Sequence, residues 1–372
     1  MKIGSEILRK RAALDRKDLR ILAVLDKMGG SASAQEIGEA LDIPARTVRY
    51  RLSVLMERGM LLPSYYQTHE RKVGLGERMI VVQENAGKGD TLEAVIKEVP
   101  SFYWYIPSHG KMDGYLIHAV YDLREPDKLE KIIKRMRERE IIEEYYSFEI
   151  ADYESKRVDF SKYRPDGEWR WNWGKWRDEL SAKLETDAEM PHNMTEEIKI
   201  IDCDSSDIKI LRELKESSES SASAIASITG IPVANVREKL QRLRDNGVIK
   251  DYRRAYGFAG DLLWLSCFVR IRDNPGAILA AIYDLPHPAT ILMESKGSYC
   301  IRFGFTTSDL KGFLEGFRVI RPYLESYSFQ FHLPDEVEST YGEVFNFFDD
   351  EKNRWEIPLE ESLAIIDKHA KE

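Results

Sequence analysis

Residues 31–61 read SASAQEIGEALDIPARTVRYRLSVLMERGML, and residues 221–249 read SASAIASITGIPVANVREKLQRLRDNGVI. The two stretches align at a constant offset of 188. Ile37 falls on Ile225, Pro44 on Pro232, Val48 on Val236, Leu52 on Leu240, Leu55 on Leu243 and Gly59 on Gly247. So long a period is not that of a small solenoid unit; it implies duplication of a whole multi-element unit.

Working outward from the first copy, Asp15 stands before a stretch in which Ile21, Leu22, Leu25 and Met28 share one helical face. Asp15 suits an N-cap, Asp18 a first turn, and Gly29-Gly30 a helix end. Ser33 and Glu36 have capping-box spacing at the start of a second helix with Ile37, Ala40 and Leu41 inward. Pro44 opens a third helix, buried through Val48, Leu52 and Leu55 and stopped at Gly59. Three short helices so spaced predict a helix-turn-helix. That leaves Arg46, Thr47, Arg49, Tyr50 and Arg51 outward on the helix that such motifs lay in the major groove. Arg makes bidentate contacts with guanine or phosphate, and Thr and Tyr bond phosphate. Residues 61–74, LLPSYYQTHERKVG, read as a wing touching phosphate or as a hairpin into the next domain. In the second copy Asp204 and Asp207 replace Asp15 and Asp18. The third helix offers Asn235, Arg237, Lys239, Arg242 and Arg244, diluted by Glu238 and Asp245. DNA reading is therefore expected to be led by the first copy.

A chain of 372 residues with 43% apolar content supports several cores, and its net charge of −9 argues against indiscriminate coating of nucleic acid. The apolar runs are too short to span a bilayer, the N-terminus has no signal-like segment, and the three cysteines are odd in number and scattered. A cytoplasmic protein without disulfides is expected.

After each helix-turn-helix comes a β-α-β-β-α-β rhythm. The first has strands at 78–84, 102–106, 115–121 and 144–150 with helices at 91–99 and 126–139. The second has strands at 263–271, 290–294, 299–305 and 327–332 with helices at 276–283 and 308–318. This is the ferredoxin-like pattern, so the expected fold class is α+β. The boundaries expected are a winged helix-turn-helix at 1–75, an α/β domain at 76–153, a tail and linker at 154–197, then 198–258, 259–335 and an aromatic tail at 336–372.

Three features together resemble the leucine-responsive/AsnC family of feast-famine transcription regulators, over about 14–152 and 203–334. They are the helix start LDRKDLRILAVL, the frame Val48-Arg49-Tyr50-Arg51-Leu52 through Gly59-Met60 (repeated as Val236, Lys239, Leu240, Leu243, Gly247, Val248), and the connection GKMDGYLIHAV. The resemblance implies sheet-to-sheet pairing of the α/β domains, further assembly, double-stranded DNA as partner, and an effector such as an amino acid near Gly110, Asp113 and Tyr115. The second half lacks the Asp there, so one ligand per chain is expected. Pairing of the two halves within the chain is favoured over a homo-oligomer, because fusion raises their effective concentration.

The tail sequence YRPDGEWRWNWGKWRDELSAKL, 163–184, and its weaker counterpart with Phe345, Phe347, Phe348 and Trp355 are expected to pack each on its own half. The acidic stretch 186–197 is expected to be a flexible linker. No phosphate-loop, zincin or nucleophile-elbow motif occurs. Cys267 and Cys300 read as core thiols. No cofactor, no metal and no enzymatic activity are expected. Two other readings remain. Sirohaem decarboxylases share the layout, but the Tyr-Asn-Leu-Trp-type strand is replaced by Tyr115-Leu116-Ile117-His118 and Tyr299-Cys300-Ile301-Arg302. The other is a protein-interaction regulator that no longer binds DNA.

Overall fold

The computed structural model describes residues 14–29, 32–165, 167–186, 188–217, 220–258, 262–333, 338–339 and 341–371. The first head is α1 (Arg16–Lys27), α2 (Ala34–Leu41) and α3 (Ala45–Glu57). Asp15 accepts from the backbone N of Lys17 and Asp18 at 2.7 and 2.9 Å, and Asp18 returns the bond to Asp15 N at 3.0 Å. Ser33 and Glu36 close the expected capping box at 3.2 and 2.7 Å. Each box satisfies backbone donors that a helix start leaves orphaned. Gly29 takes φ +77° at the end of α1, and Gly30 lies outside the described residues. Ile21, Leu22, Leu25, Ile37, Val48 and Leu55 form the buried centre of this head.

β1 (Leu61–Thr68) leads to the first α/β unit: β2 (Leu75–Glu84), α4 (Gly89–Glu98), β3 (Phe102–Gly110), β4 (Gly114–Asp122), α5 (Asp127–Glu138) and β5 (Ile142–Glu149). A short β6 (Asp152–Lys156) and α6 (Trp173–Leu184) follow. The second head is α7 (Ser205–Glu216), α8 (Ala222–Thr229) and α9 (Val233–Asp245), leading to β7 (Ile249–Tyr256). Its α/β unit is β8 (Leu262–Ile271), α10 (Pro275–Tyr283), β9 (Ala289–Ser295), β10 (Ser298–Thr306), α11 (Thr307–Ile320) and β11 (Leu324–His332). Then come β12 (Glu338–Ser339) and, further on, α12 (Leu359–His369). Both expected β-α-β-β-α-β units are present, and the fold is α+β with antiparallel sheets.

The halves pair within the chain. The strand order β5-β2-β4-β3 continues through β11-β8-β10-β9 to β6, so the last strand of the second half adds to the second strand of the first. The relation is reciprocal: β6, following β5, adds to β9, and β12, following β11, adds to β3. Met79, Val81, Ile106, Leu116 and Phe148 of one sheet meet Phe268, Leu292 and Cys300 of the other in a shared core. The heads are joined too. β1 is neither a free wing nor half of a local hairpin; it pairs antiparallel with β7.

Each tail starts on its own head, Phe160 and Tyr163 on the first and residues 341–347 on the second, but its helix crosses to the other half. α6 packs on α10 and α11 of the second half, and α12 packs on α4 and α5 of the first. Trp176 donates to the Ala281 carbonyl at 2.8 Å, and Trp173 to Asp309 at 3.1 Å. The groove that admits them is made by Gly312 and Gly316: a Cβ at either would lie 2.2 Å from the Trp173 or Trp176 ring. In the other direction the buried Trp355 donates to the Val73 carbonyl at 2.7 Å, and Asp367 meets Arg139 at 2.7 Å. Each amphipathic tail helix thus buries its apolar side on the outer apolar surface of a helix pair, α4 and α5 or α10 and α11. The expected linker is also packed where it is described. The Ala188 carbonyl would lie 1.9 Å from a Cβ at Gly276, Met190 and Met194 join the second core, and Thr195 N donates to Asp152 at 3.2 Å.

Candidate nucleic-acid interface and interior cavity

On α3 the burial of Val48 and Leu55 turns Arg46, Arg49 and Tyr50 to solvent, Tyr50 to 70% exposure, with Thr47 half-buried beside them. Neither Arg46 nor Arg49 is in an ion pair among the described residues. Arg51 differs. Its guanidinium holds Asp15 at 2.6 Å and Asp18 at 2.7 Å, bracing α3 against the capping box of α1. The bond to Asp15 raises the Arg51 pKa, and Asp15 sits below the usual carboxylate value despite its partial burial.

The second head repeats the brace. Lys239 holds Asp204 at 2.8 Å and Asp207 at 3.2 Å, and Arg242 also holds Asp207. Asn235 and Arg237 are exposed on α9, with Glu238 exposed next to Arg237. Three of the expected reading residues, Arg51, Lys239 and Arg242, therefore brace the heads through these aspartates, Arg242 with its side chain still 41% exposed. The sequence carried a signal for this: a cation and two aspartates recur at matching positions in both copies.

The glycine turn expected to hold an effector is a joint. Gly110 has φ +145°, and a Cβ there would lie 2.5 Å from the Phe329 carbonyl of β11. The Gln330 side chain reaches over it to accept from Met112 N at 3.3 Å and donate to Ser108 at 2.9 Å. Asp113 points to solvent with His109 at 3.5 Å, and Tyr115 lies edge-on to Tyr105. Close approach of the other half, which no single-copy reading anticipates, accounts for the glycine.

A cavity of about 350 Å³ lies elsewhere, between the β1–β7 ribbon and the sheet of the second half. Its walls include Tyr65, Trp104, Tyr256, Phe258 and Trp264, the cations Lys156, Arg253, Arg254 and Arg302, and one carboxylate, Asp26 at the end of α1. Burial pushes the Lys156 ammonium down to about 8 and the Asp26 carboxyl up. The Arg302 guanidinium lies 4.5 Å over the Trp104 ring, with one nitrogen 3.3 Å from His118. His118 meets Glu77 at 2.6 Å, yet burial lowers its pKa. The sequence did not mark these residues as one site. Their signal was a divergence between the copies: at offset 188, Tyr65-Tyr66 becomes Arg253-Arg254, and His69-Glu70 becomes Gly257-Phe258.

A sequence profile described as winged helix-turn-helix DNA-binding matches residues 14–61 and again 204–250. The chain carries two such domains in tandem, as the repeat implied. No curated protein sequence matches the chain. Among solved structures, the siroheme decarboxylase NirDL is similar at 12% identity over 95% of this chain and 98% of that one, with a TM-score of 0.48. LrpC of B. subtilis is similar at 17% identity over 37% of this chain and 94% of that one, with a TM-score of 0.31. A transcriptional regulator from Neisseria meningitidis, solved with L-Met, is similar at 17% identity over 37% and 89%, also at 0.31. The expectation that the chain is no enzyme is corrected by the first of these, since the protein it resembles along nearly its whole length is an enzyme. Among the described residues no helix is long and apolar enough to cross a membrane.

Proposed function

We propose that this chain, which carries two winged helix-turn-helix DNA-binding domains in tandem, is a sequence-specific transcription regulator of the leucine-responsive/AsnC type, with the first head leading recognition. The observation that carries the reading is the outward face of α3. Arg46, Arg49 and Tyr50 stand exposed while Arg51 is committed to the brace, so the head is braced behind an exposed basic edge. The corresponding edge of α9 offers Asn235 and Arg237 beside Glu238, which weakens its attraction for phosphate.

Because the heads differ but are held in one chain about a pseudo-two-fold, the preferred site has two unequal halves. Selection of bound genomic fragments with the full chain, followed by gel shifts between about 50 and 200 mM salt, tests this. An asymmetric consensus with salt-dependent affinity is expected. No enrichment over random fragments sinks the reading, and a perfectly palindromic consensus sinks its asymmetry. A tetrapyrrole enzyme has a separate signature, a strong near-ultraviolet absorption band on purified or tetrapyrrole-supplied protein.

A further inference from the structure

We propose that the cavity between the β1–β7 ribbon and the second sheet binds one small aromatic acid per chain. Its volume of about 350 Å³ falls in the range of small-molecule sites, and its wall is mostly apolar with a few polar groups. The aromatic rings of Tyr65, Trp104, Tyr256, Phe258 and Trp264 suit a flat apolar body. Lys156, Arg253, Arg254 and Arg302 face one carboxylate, Asp26, which burial disfavours as the charged form. Asp251, outside the wall, matches Arg253 at 2.8 Å and Arg254 is engaged as well, so the excess over Asp26 rests on Lys156 and Arg302. That excess of positive charge in a partly desolvated space favours an anionic guest and excludes a cationic one.

Stoichiometry follows from the divergence of the copies. Where the second half has Gly257 and Phe258, the first has His69 and Glu70. Glu70 turns inward to Lys215 at 3.2 Å, and His69 lies 3.6 Å from Asp152. The space these two residues border has a volume of only about 10 Å³. Among the described residues the matching place in the first half therefore offers no comparable cavity.

Its position makes it a route to the heads, a part of the inference that rests on the function proposed above. Asp26 belongs to α1, and Val158 N donates to it at 3.3 Å. Arg157, next to Lys156, donates to the Asp26 carbonyl at 2.7 Å, at the end of α1. A guest that shifts the Lys156–Val158 segment or the ribbon thus shifts one head against the other, and ligand and DNA must then affect each other by equal factors.

The test uses the full chain and anilinonaphthalene sulfonate, an aromatic acid whose fluorescence reports burial, with the uncharged phenylnaphthylamine as its control. One sulfonate per chain is expected, with the uncharged analogue at least tenfold weaker. Displacement by indole acetate, phenyl phosphate or both is expected, and which one displaces tells carboxylate from phosphate preference. Gly304→Leu fills the cavity, since a Cβ there has ordinary contacts of 3.6 Å to Pro288 and 3.8 Å to Trp264. Lys156→Met removes a charge from a half-buried strand position in the wall. Each is expected to weaken binding at least tenfold with unchanged circular dichroism, and either well-folded variant suffices. More than one site per chain, equal binding of the uncharged analogue, displacement by neither acid, or indifference to both variants overturns the proposal. Probe binding without any DNA binding rejects the reading of the heads and leaves the site; DNA binding without probe binding does the reverse.

Discussion

Tyr65 and Arg253 face each other across the β1–β7 ladder, and they are the same position of the repeat, 188 residues apart. Ser64 pairs with Arg254 and Tyr66 with Tyr252, so the register runs symmetrically away from them. Even its irregularities match: Leu61 pairs with Tyr256 and Thr68 with Ile249, and these two pairs exchange under the same offset. A pseudo-two-fold axis therefore passes between Tyr65 and Arg253. Side chains on such an axis meet their own counterparts, and here a tyrosine meets an arginine. Where β4 matches β10, at an offset of 184, His118 and Arg302 meet in the same way at 3.3 Å. The duplication has been broken at its axis.

The first prediction separates reading from bracing. Arg46→Ala with Arg49→Ala is expected to weaken DNA binding at least tenfold. The salt dependence should flatten by about one unit of slope for each phosphate no longer neutralised. Arg237→Ala is expected to cost less. Arg51→Ala is expected to lower the melting temperature by removing the bonds to Asp15 and Asp18. Equal weakening of affinity by the α3 double variant and by Arg237→Ala would refute the order.

Acid should find the braces. Asp15 and Asp204 are held below the ordinary aspartate value of 3.8 by their hydrogen bonds and cations, against a burial cost that acts the other way. A carboxylate depressed on folding contributes stability that is present above its unfolded pKa and lost as pH falls through the folded one. Melting temperature is expected to fall below about pH 4, and Arg51→Met with Lys239→Met should shallow that fall. A slope identical to the parent's would count against it.

Gly110→Ala should strain the joint between halves, since its φ is +145° and its Cβ would lie 2.5 Å from a backbone oxygen. A destabilisation of about 1–3 kcal/mol is expected. Asp113→Ala, exposed on the same turn, should be nearly neutral for stability and for binding of an aromatic acid. Urea melts of both variants check the contrast.

Trp355→Ala should cost about 3–5 kcal/mol. It should also loosen a distant part of the chain, with hydrogen exchange rising around Val73, whose carbonyl loses its indole donor, and in α4 and α5. Faster exchange confined to residues after 338 would mean the tail does not support the first half.

Probe binding should weaken with alkali. Burial holds Lys156 near 8, with Asp159, Asp26 and Asp284 acting in the opposite direction. The charged form attracts an acid, so affinity is expected to be higher at pH 7 than at pH 9. Lys156→Met should remove the dependence and leave weaker binding throughout. A flat profile in the parent would exclude Lys156 from the site.

The heads and both α/β units were legible because caps, apolar periodicity and turn glycines are local, and the repeat states each twice. Intrachain pairing was legible as an effective-concentration argument. The strand partners were not, since β6 and β12 are short segments whose hydrogen bonds go to the other half. The aromatic tails showed apolar faces without saying which surface they cover. Arg51 reads as outward by helical phase, yet a long side chain on that phase can turn back to a neighbouring helix start, as this one does. The cavity depends on what is missing at Gly257, and periodicity does not report empty space.

The crossing of the tails fixes an order in time. Residues 14–152 leave the ribosome with the outer surfaces of α4 and α5 uncovered, and the helix that covers them ends at His369. Between residues 152 and 369 lie 217 further steps of synthesis, roughly ten to forty seconds at ordinary elongation rates. For that interval the older half is an unfinished nascent chain waiting on the younger one, and a break between α6 and α7 leaves neither piece with its own cover.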